Sequence, residues 1–496
     1  MSHSDNGVHK HEDGETITAP VCMWLEALDL VFQRLSKLVN LAAVRTISGC
    51  GQQHGTVYWN QKATSLLSNL NPSTSLRESL QDALATIHSP IWMDSSTTEE
   101  CRLMEENVGG PMKLATLTGS RAFHRFSGSQ IMKFYRKKRE IFENTERISL
   151  VSSFIACVLC GAFADVDLGD ACGMNLLDVR KGAWSRECLF ACVQGNEDDY
   201  EALLKKLGTP VPCDTVVGKI SPYFCQRYGL SSDCEVVAFT GDNLSSLAGL
   251  CLQAGQVAVS LGTSDTVLFV LDRYVPALEG HLFRNPVYQS GYMAFTRNRV
   301  RKEVGAKTWD DFEALVAETP PGNNGNIGFY FDDNEIIPTV RRGDYRFDSS
   351  KKQVATFSKE VEARAVLEHQ SLAKRLHAEK LGNCFVEKGT MLVTGGASNN
   401  ATIAQILADV FNCDVYTAES TDSAAIGGAL RARHAAFYKG SDYFIVSEAA
   451  VIRQLVASPI LGNVEVYNEM IKIYEELEKR VMADAVMDRL LANRKI

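Results

Sequence analysis

The sequence predicts an α/β protein of two domains. At 496 residues the chain is longer than one hydrophobic core supports, because single cores stop growing at about 250–300 residues. Hydrophobic residues make up 45% and charged residues 22%, as in soluble globular proteins. Short apolar runs that end in small-residue turns alternate with segments of helical periodicity, which is typical of α/β folds. We expect the change of domain near residues 249–255, giving domains over residues 1–250 and 251–496.

Charge and cysteine content narrow the class of protein. The net charge of -9 argues against a nucleic-acid partner or an anionic membrane surface. Fourteen cysteines at irregular spacing, with a polar rather than apolar start to the chain, predict reduced thiols in the cytoplasm. Cys157 and Cys160 lie in an apolar run, so two buried small hydrophobes are a better interpretation than a redox or metal pair. The longest apolar run, residues 150–164, is too short to span a membrane.

The first distinctive segment follows a predicted helix over residues 20–41 and a short predicted strand over residues 44–47. It reads SGCGQQHG, residues 48–55. Glycines on both sides let the backbone turn sharply and aim Gln52, Gln53 and His54 at a small ligand. A histidine in such a loop fits a structural role and a binding role equally well.

Further candidates follow in the first half. Asp94 follows a predicted strand near residues 90–93 and precedes a predicted helix that begins near residue 98. Asp94 fits either a turn or N-cap residue or an acceptor for a sugar hydroxyl. Arg121 and Arg125, among glycines and aromatic residues, either pack on the surface or bind an oxygen-rich ligand. Further predicted elements are helices over residues 148–164, 184–192 and 195–207, and a turn leading into a strand over residues 169–177.

The most informative stretch lies in the middle of the chain. Predicted strands over residues 236–239 and 257–261 each end in a small-residue turn. The first turn, TGDN, presents the carboxylate of Asp242. The second turn offers backbone N–H groups and hydroxyls and has no Cβ at its first position; it consists of Gly262, Thr263 and Ser264. An acid for proton removal and a cradle for phosphate oxygens, about twenty residues apart, suggest phosphoryl transfer.

The second half contains another turn suited to a nucleotide. A predicted strand at residues 391–394 is followed by Gly395 and Gly396 and then by a predicted helix over residues 402–411. Glycines there admit a flat base or a phosphate close to the main chain and the helix N-terminus, although many α/β folds have such turns. Gly427 and Gly428, within a predicted helix, indicate close helix packing. Other predicted elements are helices over residues 309–316, 361–381 and 423–430, a strand over residues 414–417, and loops over residues 284–292 and 320–325.

Taken together and in this order, the motifs resemble those of the FGGY carbohydrate kinases. They are SGCGQQHG at residues 48–55, WMD at 92–94, TGDN at 240–243, SLGTS at 260–264 and TGGAS at 394–398. The resemblance runs from about residue 7 to the late helices. It implies two ribonuclease-H-like, actin-like ATPase domains that close on a cleft. It is strongest to members that phosphorylate D-xylulose with ATP and Mg²⁺, and it implies a monomer or homodimer with no nucleic-acid or membrane partner.

The resemblance also implies roles for individual residues. Asp242 matches the general base that takes the proton from the attacking sugar hydroxyl. His54, Arg125 and Asn243 match sugar-binding positions, and Asp94 lies in a segment that matches the substrate wall. The positions matching the nucleotide site are Gly262, Thr263 and Ser264 in the second phosphate loop, Trp309 beside the nucleotide, and Gly395, Gly396 and Asn399 around the adenosine. No protein residue is implied as a metal ligand.

The sequence departs from the family pattern in two places. Family members begin with a hairpin carrying Asp-x-(Gly/Ser)-Thr-x-x-x-(Lys/Arg), the first phosphate loop, whereas residues 7–14 here match a point beyond it. We therefore expect the first domain's sheet to lack central strands and to leave backbone edges unpaired. The segment after Phe295 is also shorter than the family's, which continues through a strand, a turn and a helix.

Three other functions stay open from the sequence. Another sugar, polyol or sugar-acid kinase of the same family would use the same machinery. A catalytically silent sugar- or nucleotide-binding protein is favoured by the absent first phosphate loop. A generic actin-like scaffold is disfavoured, because it would not need Asp242 beside Asn243.

Overall fold

The computed structural model describes residues 7–261, 264–288, 291–299, 309–331, 340, 342–385, 387–418, 422–447 and 451–493. The strands of the first half are β1 (His9–Lys10), β2 (Ile17–Pro20), β3 (Thr46–Ile47), β4 (Cys50–Gly51), β5 (Thr56–Asn60), β6 (His88–Pro90), β7 (Thr145–Leu150), β8 (Leu177–Asp178), β9 (Ala183–Trp184), β10 (Val216–Lys219), β11 (Glu235–Val237) and β12 (Thr240–Gly241). Its helices are α1 (Val21–Leu35), α2 (Ala63–Ser68), α3 (Leu76–Leu80), α4 (Thr98–Val108), α5 (Pro111–Thr118), α6 (Ser127–Lys137), α7 (Arg139–Asn144), α8 (Val151–Cys160), α9 (Leu168–Cys172), α10 (Arg186–Cys192), α11 (Glu197–Leu207), α12 (Pro222–Tyr228) and α13 (Asp242–Gly249).

The second half continues the alternation of strands and helices. Its strands are β13 (Val257–Leu261), β14 (Ser264–Leu271), β15 (His281–Arg284), β16 (Tyr292–Arg299), β17 (Ile327–Phe331), β18 (Gly343–Phe347), β19 (Gln353–Val354), β20 (Gly389–Gly395), β21 (Cys413–Ala418) and β22 (Arg453–Ala457). Its helices are α14 (Trp309–Ala317), α15 (Lys359–Lys380), α16 (Ala401–Phe411), α17 (Ser423–Phe437), α18 (Tyr443–Ser447) and α19 (Leu461–Asn493).

The strands of the first half form several small sheets of two or three strands each. Two parallel pairings matter for function. β3 runs beside β11, and β4 runs beside β12 with Cys50 opposite Thr240 and Gly51 opposite Gly241. Because the carboxyl ends of parallel strands meet at one edge, the loop after β4 lies next to the start of α13.

The second half is built on a seven-stranded sheet in the order β15-β16-β14-β13-β20-β21-β22. β13, β20 and β21 are parallel neighbours, and Leu261 pairs with Gly395 at the carboxyl ends of the first two. Leu261, the last residue before the predicted phosphate turn, therefore lies beside Gly395 of the predicted nucleotide turn.

Both faces of this sheet are buried. Val257 and Val259 on β13 point into a core shared with the helices of the second half. Ala258, between them, joins a different core that also contains Leu244 and Leu247 of α13 and many residues of the first half. This alternation follows the two-residue period of a strand. The two halves of the chain thus share apolar packing across the sheet.

Helices α13 and α17 cross in close contact, as the glycines at residues 427 and 428 predict. A Cβ on Gly427 would lie 1.7 Å from the carbonyl oxygen of Ser245, and one on Gly249 would lie 1.9 Å from that of Ser423. Ser245 Oγ donates a hydrogen bond of 2.6 Å to the carbonyl of Ala424. The prediction of close packing is confirmed, and α13 is held through backbone-to-backbone contact.

Most predicted elements are present, and the differences have local causes. The predicted helix over residues 20–41 ends at Leu35, and Leu38 beyond it is 77% exposed. The predicted helix over residues 148–164 begins only at Val151, because the first residues of that apolar run complete β7, which pairs with β5. The turn predicted at residues 169–177 contains helix α9, whose N-terminus is capped by the side chain of Asp167. All fourteen cysteines are free thiols, as predicted. Within the described residues, no helix has the length and apolar character needed to cross a membrane.

Candidate active site

Asp242 is the first residue of α13 and is partly exposed. Gly241 before it has an extended backbone, with φ at -70° and ψ at 152°, and acts as the N-cap residue. The carboxylate oxygen Oδ1 accepts a hydrogen bond of 2.9 Å from the backbone N–H of Asn243. A helix N-terminus favours a negative charge, so this position suits an ionised carboxylate that a ligand can reach.

The loop after β4 contacts the same turn. Asn243 Nδ2 donates a hydrogen bond of 2.7 Å to Gln53 Oε1. A Cβ on Gly241 would lie only 2.5 Å from Gln53 Cγ and 2.8 Å from Asp170 Oδ1, so only glycine fits there. Asp242, Asn243 and the glycine-flanked loop, which the sequence placed nearly 200 residues apart, are neighbours in the structure.

Asp170 is a buried carboxyl behind this turn that the sequence did not single out. It is 1% exposed, and Oδ2 accepts a hydrogen bond of 2.5 Å from the hydroxyl of Ser152. Burial raises the pKa of Asp170 well above its usual range, and the charges of Asp167 and Asp242 raise it further. No sequence signal identified this residue, since it lies in a short helix within a glycine-containing segment.

His54 and Arg125 lie around one aromatic ring. His54 has a left-handed backbone, with φ at 72°, and its ring stacks on Phe126 at 4.4 Å between centroids. Its Nδ1 donates to the carbonyl of Gly173 at 3.0 Å. Arg125 precedes Phe126, and the charges of Arg125 and His54 both act on His281, packed 5.0 Å from the same ring.

His281 is a second histidine of this region that the sequence analysis missed. Its Nδ1 lies 3.1 Å from the hydroxyl of Ser120. Burial lowers the pKa of His281 well below its usual range, and the positive charge of Arg125 lowers it further. Because the imidazole of His281 is neutral, the permanent positive charge in this group of side chains is that of Arg125.

Asp94 is placed as a turn residue. It is 2% exposed, and its oxygens accept hydrogen bonds from the backbone N–H of Ile17 at 2.8 Å, the hydroxyl of Ser96 at 2.6 Å and the amide of Gln130 at 2.7 Å. These contacts fit the turn interpretation offered by the sequence. A contact between Asp94 and a sugar stays a prediction.

Of the two predicted nucleotide turns, the structure describes the one at Gly395, which pairs with Leu261 at the carboxyl edge of the large sheet. Gly262 and Thr263 lie outside the described residues, and for Ser264 only the backbone, which begins β14, is described. Gly395 has φ at +92°, and a Cβ there would lie 2.2 Å from the carbonyl oxygen of Leu261. A Cβ on Gly396 would meet no heavy atom within 4 Å, so this part of the turn has open space in front of it.

Helix α14 lies against the same loop. Trp309 begins this helix, and Glu313, one turn later, accepts a hydrogen bond from the side chain of Asn400. Asn400 also caps α16 through a hydrogen bond of 2.9 Å to the N–H of Ile403. Asn399, just before it, is exposed. The predicted positions 309, 395, 396 and 399 are therefore grouped around one loop.

A buried ion pair lies at the start of β14. Lys374 Nζ on α15 lies 2.5 Å from Asp265 Oδ2, and both side chains are at most 4% exposed. Asp265 directly follows the predicted turn residue Ser264. No local sequence signal identifies this pair, because Lys374 lies on a helix more than one hundred residues away.

The chain is similar to known proteins along most of its length. Residues 81–249 match the N-terminal domain, and residues 257–436 the C-terminal domain, of the FGGY family of carbohydrate kinases. The sequence is 45% identical over 492 residues to xylulose kinase from Rattus norvegicus, covering 97% of this chain and 90% of that one. It is 43% identical over 439 residues to xylulose kinase 2 from Arabidopsis thaliana, covering 84% and 77%.

Solved structures show the same fold at low sequence identity. A ligand-bound xylulose kinase from Lactobacillus acidophilus superposes with a TM-score of 0.79 at 18% identity, covering 96% of this chain and 92% of that one. Plasmodium falciparum glycerol kinase with ADP superposes with a TM-score of 0.70 at 12% identity, covering 94% and 90%. The predicted fold class, an α/β protein of two domains, is confirmed.

Proposed function

Because this chain belongs to the FGGY family of carbohydrate kinases, we propose that it transfers the γ-phosphate of ATP to D-xylulose, giving D-xylulose 5-phosphate. The observation that carries the proposal is the carboxylate of Asp242 at the N-terminus of α13, next to Asn243 and the loop that holds His54. The mammalian and plant relatives that align along most of this chain are both xylulose kinases, which favours this sugar over others.

Asp242 is the proposed general base. It takes the proton from the sugar hydroxyl as the oxygen attacks the γ-phosphate, a contribution worth about 10²–10⁴ in rate. Asn243 presents its side chain beside this carboxylate and is fixed by Gln53, so it is suited to hold a sugar hydroxyl. His54 and Arg125 are proposed to bind the remaining hydroxyls.

ATP is proposed to bind across the adjoining turns at Gly262, Thr263, Ser264, Gly395 and Gly396, with Trp309 and Asn399 beside the nucleotide. The open space at Gly396 and the exposed Asn399 support the adenosine end of this site. Glycine turns let phosphate oxygens approach backbone N–H groups.

Mg²⁺ is proposed to accompany ATP and to neutralise charge on its phosphates. It usually keeps several waters and needs only one or two protein carboxylates besides phosphate oxygens. Among the described residues no group of three or more His, Cys, Asp or Glu side chains is arranged to hold a metal.

The test is ADP release by the purified chain with Mg²⁺-ATP and each of D-xylulose, D-ribulose and glycerol, with the phosphorylated carbon identified by ³¹P NMR. We expect the highest kcat/KM for D-xylulose and phosphate on its fifth carbon. Faster turnover of ribulose or glycerol contradicts the substrate assignment. Thermal stabilisation by D-xylulose without ADP release would instead support a silent binding protein.

A further inference from the structure

Three buried side chains meet beneath the turn that carries Asp242. We name Gln53, Ser152 and Asp170 the support cluster. Gln53 comes from the loop after β4, Ser152 from α8 and Asp170 from α9. All three are at most 3% exposed. Three separate segments of the first half thus each contribute one polar side chain to the buried region beneath this turn.

The support cluster reaches the candidate sugar-binding residues through one amide. Gln53 Oε1 accepts the hydrogen bond from Asn243 Nδ2 at 2.7 Å, which fixes the rotamer of Asn243. At the other end Ser152 donates to Asp170 Oδ2 at 2.5 Å, which fixes the carboxyl plane.

Between these bonds lie a donor and an acceptor that face the same point. The Cβ position of Gly241 is 2.9 Å from Gln53 Nε2 and 2.8 Å from Asp170 Oδ1. In the part of the chain that the structure describes, neither of these buried atoms has a hydrogen-bond partner. A buried amide N–H and a buried carboxyl oxygen are costly to leave unpaired, and these two are complementary. A hydrogen bond between them, direct or through one water molecule, would satisfy both.

The charges around Asp170 connect it to Asp242 electrostatically. The pKa of Asp170 is affected by the charges of three residues, namely Asp167 at the start of α9, Asp242 on α13 and Arg431 on α17. The effect of Asp242 on Asp170 is reciprocal, because two titrating sites that interact shift each other equally. The ionisation of Asp170 therefore changes the charge behind the turn that carries Asp242.

We propose that Gln53 and Asp170 are positioning residues for the sugar side of the site: Gln53 fixes Asn243, and Asp170 anchors Gln53 and sets the charge behind Asp242. This inference rests on the proposed function, in which Asp242 is the base and Asn243 binds the sugar. Neither side chain has a role in the family resemblance described above.

The first experiment separates positioning from folding. In Gln53→Leu we expect KM for D-xylulose to rise about tenfold while KM for ATP stays within twofold, since Asn243 loses its hydrogen bond. Ser152→Ala is compared with Ser153→Ala, a matched buried serine of α8 that bonds to the backbone of Leu150 instead. Only Ser152→Ala should raise KM for D-xylulose. Equal effects of the two serine variants, or equal changes in both KM values for Gln53→Leu, would overturn the proposal.

The second experiment tests whether the ionisation of Asp170 affects the pH dependence of kcat/KM. Asp170→Asn keeps the shape of the side chain and removes its ionisation. The wild-type pH profile of kcat/KM should contain an ionisation above the usual carboxyl range that is missing in this variant. Profiles that superimpose after scaling would show that Asp170 does not act on Asp242.

A third readout needs no turnover, so it distinguishes failure of this inference from failure of the proposed function. The melting temperatures of Gln53→Leu, Asp170→Ala and the double variant form a cycle. We expect the shift of the double variant to be smaller than the two single shifts combined, and additive shifts would refute the coupling. Wild-type protein without turnover of D-xylulose would reject the proposed function, and the cycle would still decide whether the two residues act together.

Discussion

The contact between α13 and α17 makes the substitution Gly427→Ala a sharp test of how Asp242 is held. The new methyl group would lie 1.7 Å from the carbonyl oxygen of Ser245 and 2.8 Å from the backbone nitrogen of Gly249. Real Cβ contacts are essentially never shorter than 3.0 Å, so the helices must separate by more than an ångström. Both opposing atoms belong to backbone, and no side-chain rotation relieves the overlap.

Overpacking of this kind costs about 1–3 kcal/mol, against a gain of up to about 1 kcal/mol from replacing glycine within a helix. We therefore expect Gly427→Ala to lower the free energy of unfolding by about 2 kcal/mol. Because α13 begins at Asp242, a shift of about 1 Å in this helix should also reduce kcat by about 10²-fold.

The assay is urea unfolding followed by circular dichroism, together with steady-state ADP release. Gly462→Ala is the matched control, because its Cβ would meet no heavy atom within 4 Å at the exposed start of α19. The control should be as active as wild type and at least as stable. If Gly427→Ala matches the control in both measurements, the α13–α17 contact does not position Asp242.

Three further predictions concern the second half. Gly395 has φ at +92°, and Gly395→Ala places a methyl group 2.2 Å from the carbonyl oxygen of Leu261. We therefore expect KM for ATP to rise while KM for D-xylulose stays unchanged. Equal rises in the two KM values would contradict this prediction. Burial raises the pKa of Glu368 from 4.5 to about 7, so between these pH values the folded state binds more protons than the unfolded state. The free energy of unfolding therefore falls by roughly 3 kcal/mol as the pH rises from 4.5 to 7. Glu368→Gln cannot ionise, so its free energy of unfolding in urea should increase relative to that of wild type as the pH rises from 4.5 to 7. A constant difference between the two proteins would refute the raised pKa of Glu368. Lys374→Met removes the buried cation that lies 2.5 Å from Asp265 and should lower the free energy of unfolding in urea by about 3–5 kcal/mol. Asp265→Leu combined with Lys374→Met should lower it less, and equal losses would contradict this expectation.

The sequence predicts several elements of the second half closely, because their signals are local. The apolar run that forms β13 and the strand, double glycine and helix around Gly395 are found within two residues of the predicted bounds. Gly427 also predicts close helix packing correctly, since glycine within a helix is costly unless another backbone approaches it. Gly428 is approached instead by the backbone of Gly49, between β3 and β4.

Local signals fail where a buried polar group depends on a distant partner. Asp170 meets Ser152 and faces Gly241, and Lys374 meets Asp265, through contacts that span 18 to more than 100 residues. Nothing in the neighbouring residues distinguishes these side chains from solvated ones. The apolar run at residues 148–164 shows the other limit, because a buried strand and a buried helix have the same composition until pairing with β5 decides between them.

The central claim is that the carboxylate of Asp242 removes the proton from D-xylulose, and one measurement tests it most directly. Asp242→Asn keeps the shape of the side chain and removes the base, and Asp233→Asn, on an exposed aspartate paired only at the surface with Lys219, is the matched control. With saturating Mg²⁺-ATP and D-xylulose, rapid-quench single-turnover experiments report the phosphoryl-transfer step itself. We predict a rate at least about 10²-fold lower in Asp242→Asn and unchanged in Asp233→Asn. Transfer at the wild-type rate in Asp242→Asn would contradict the claim.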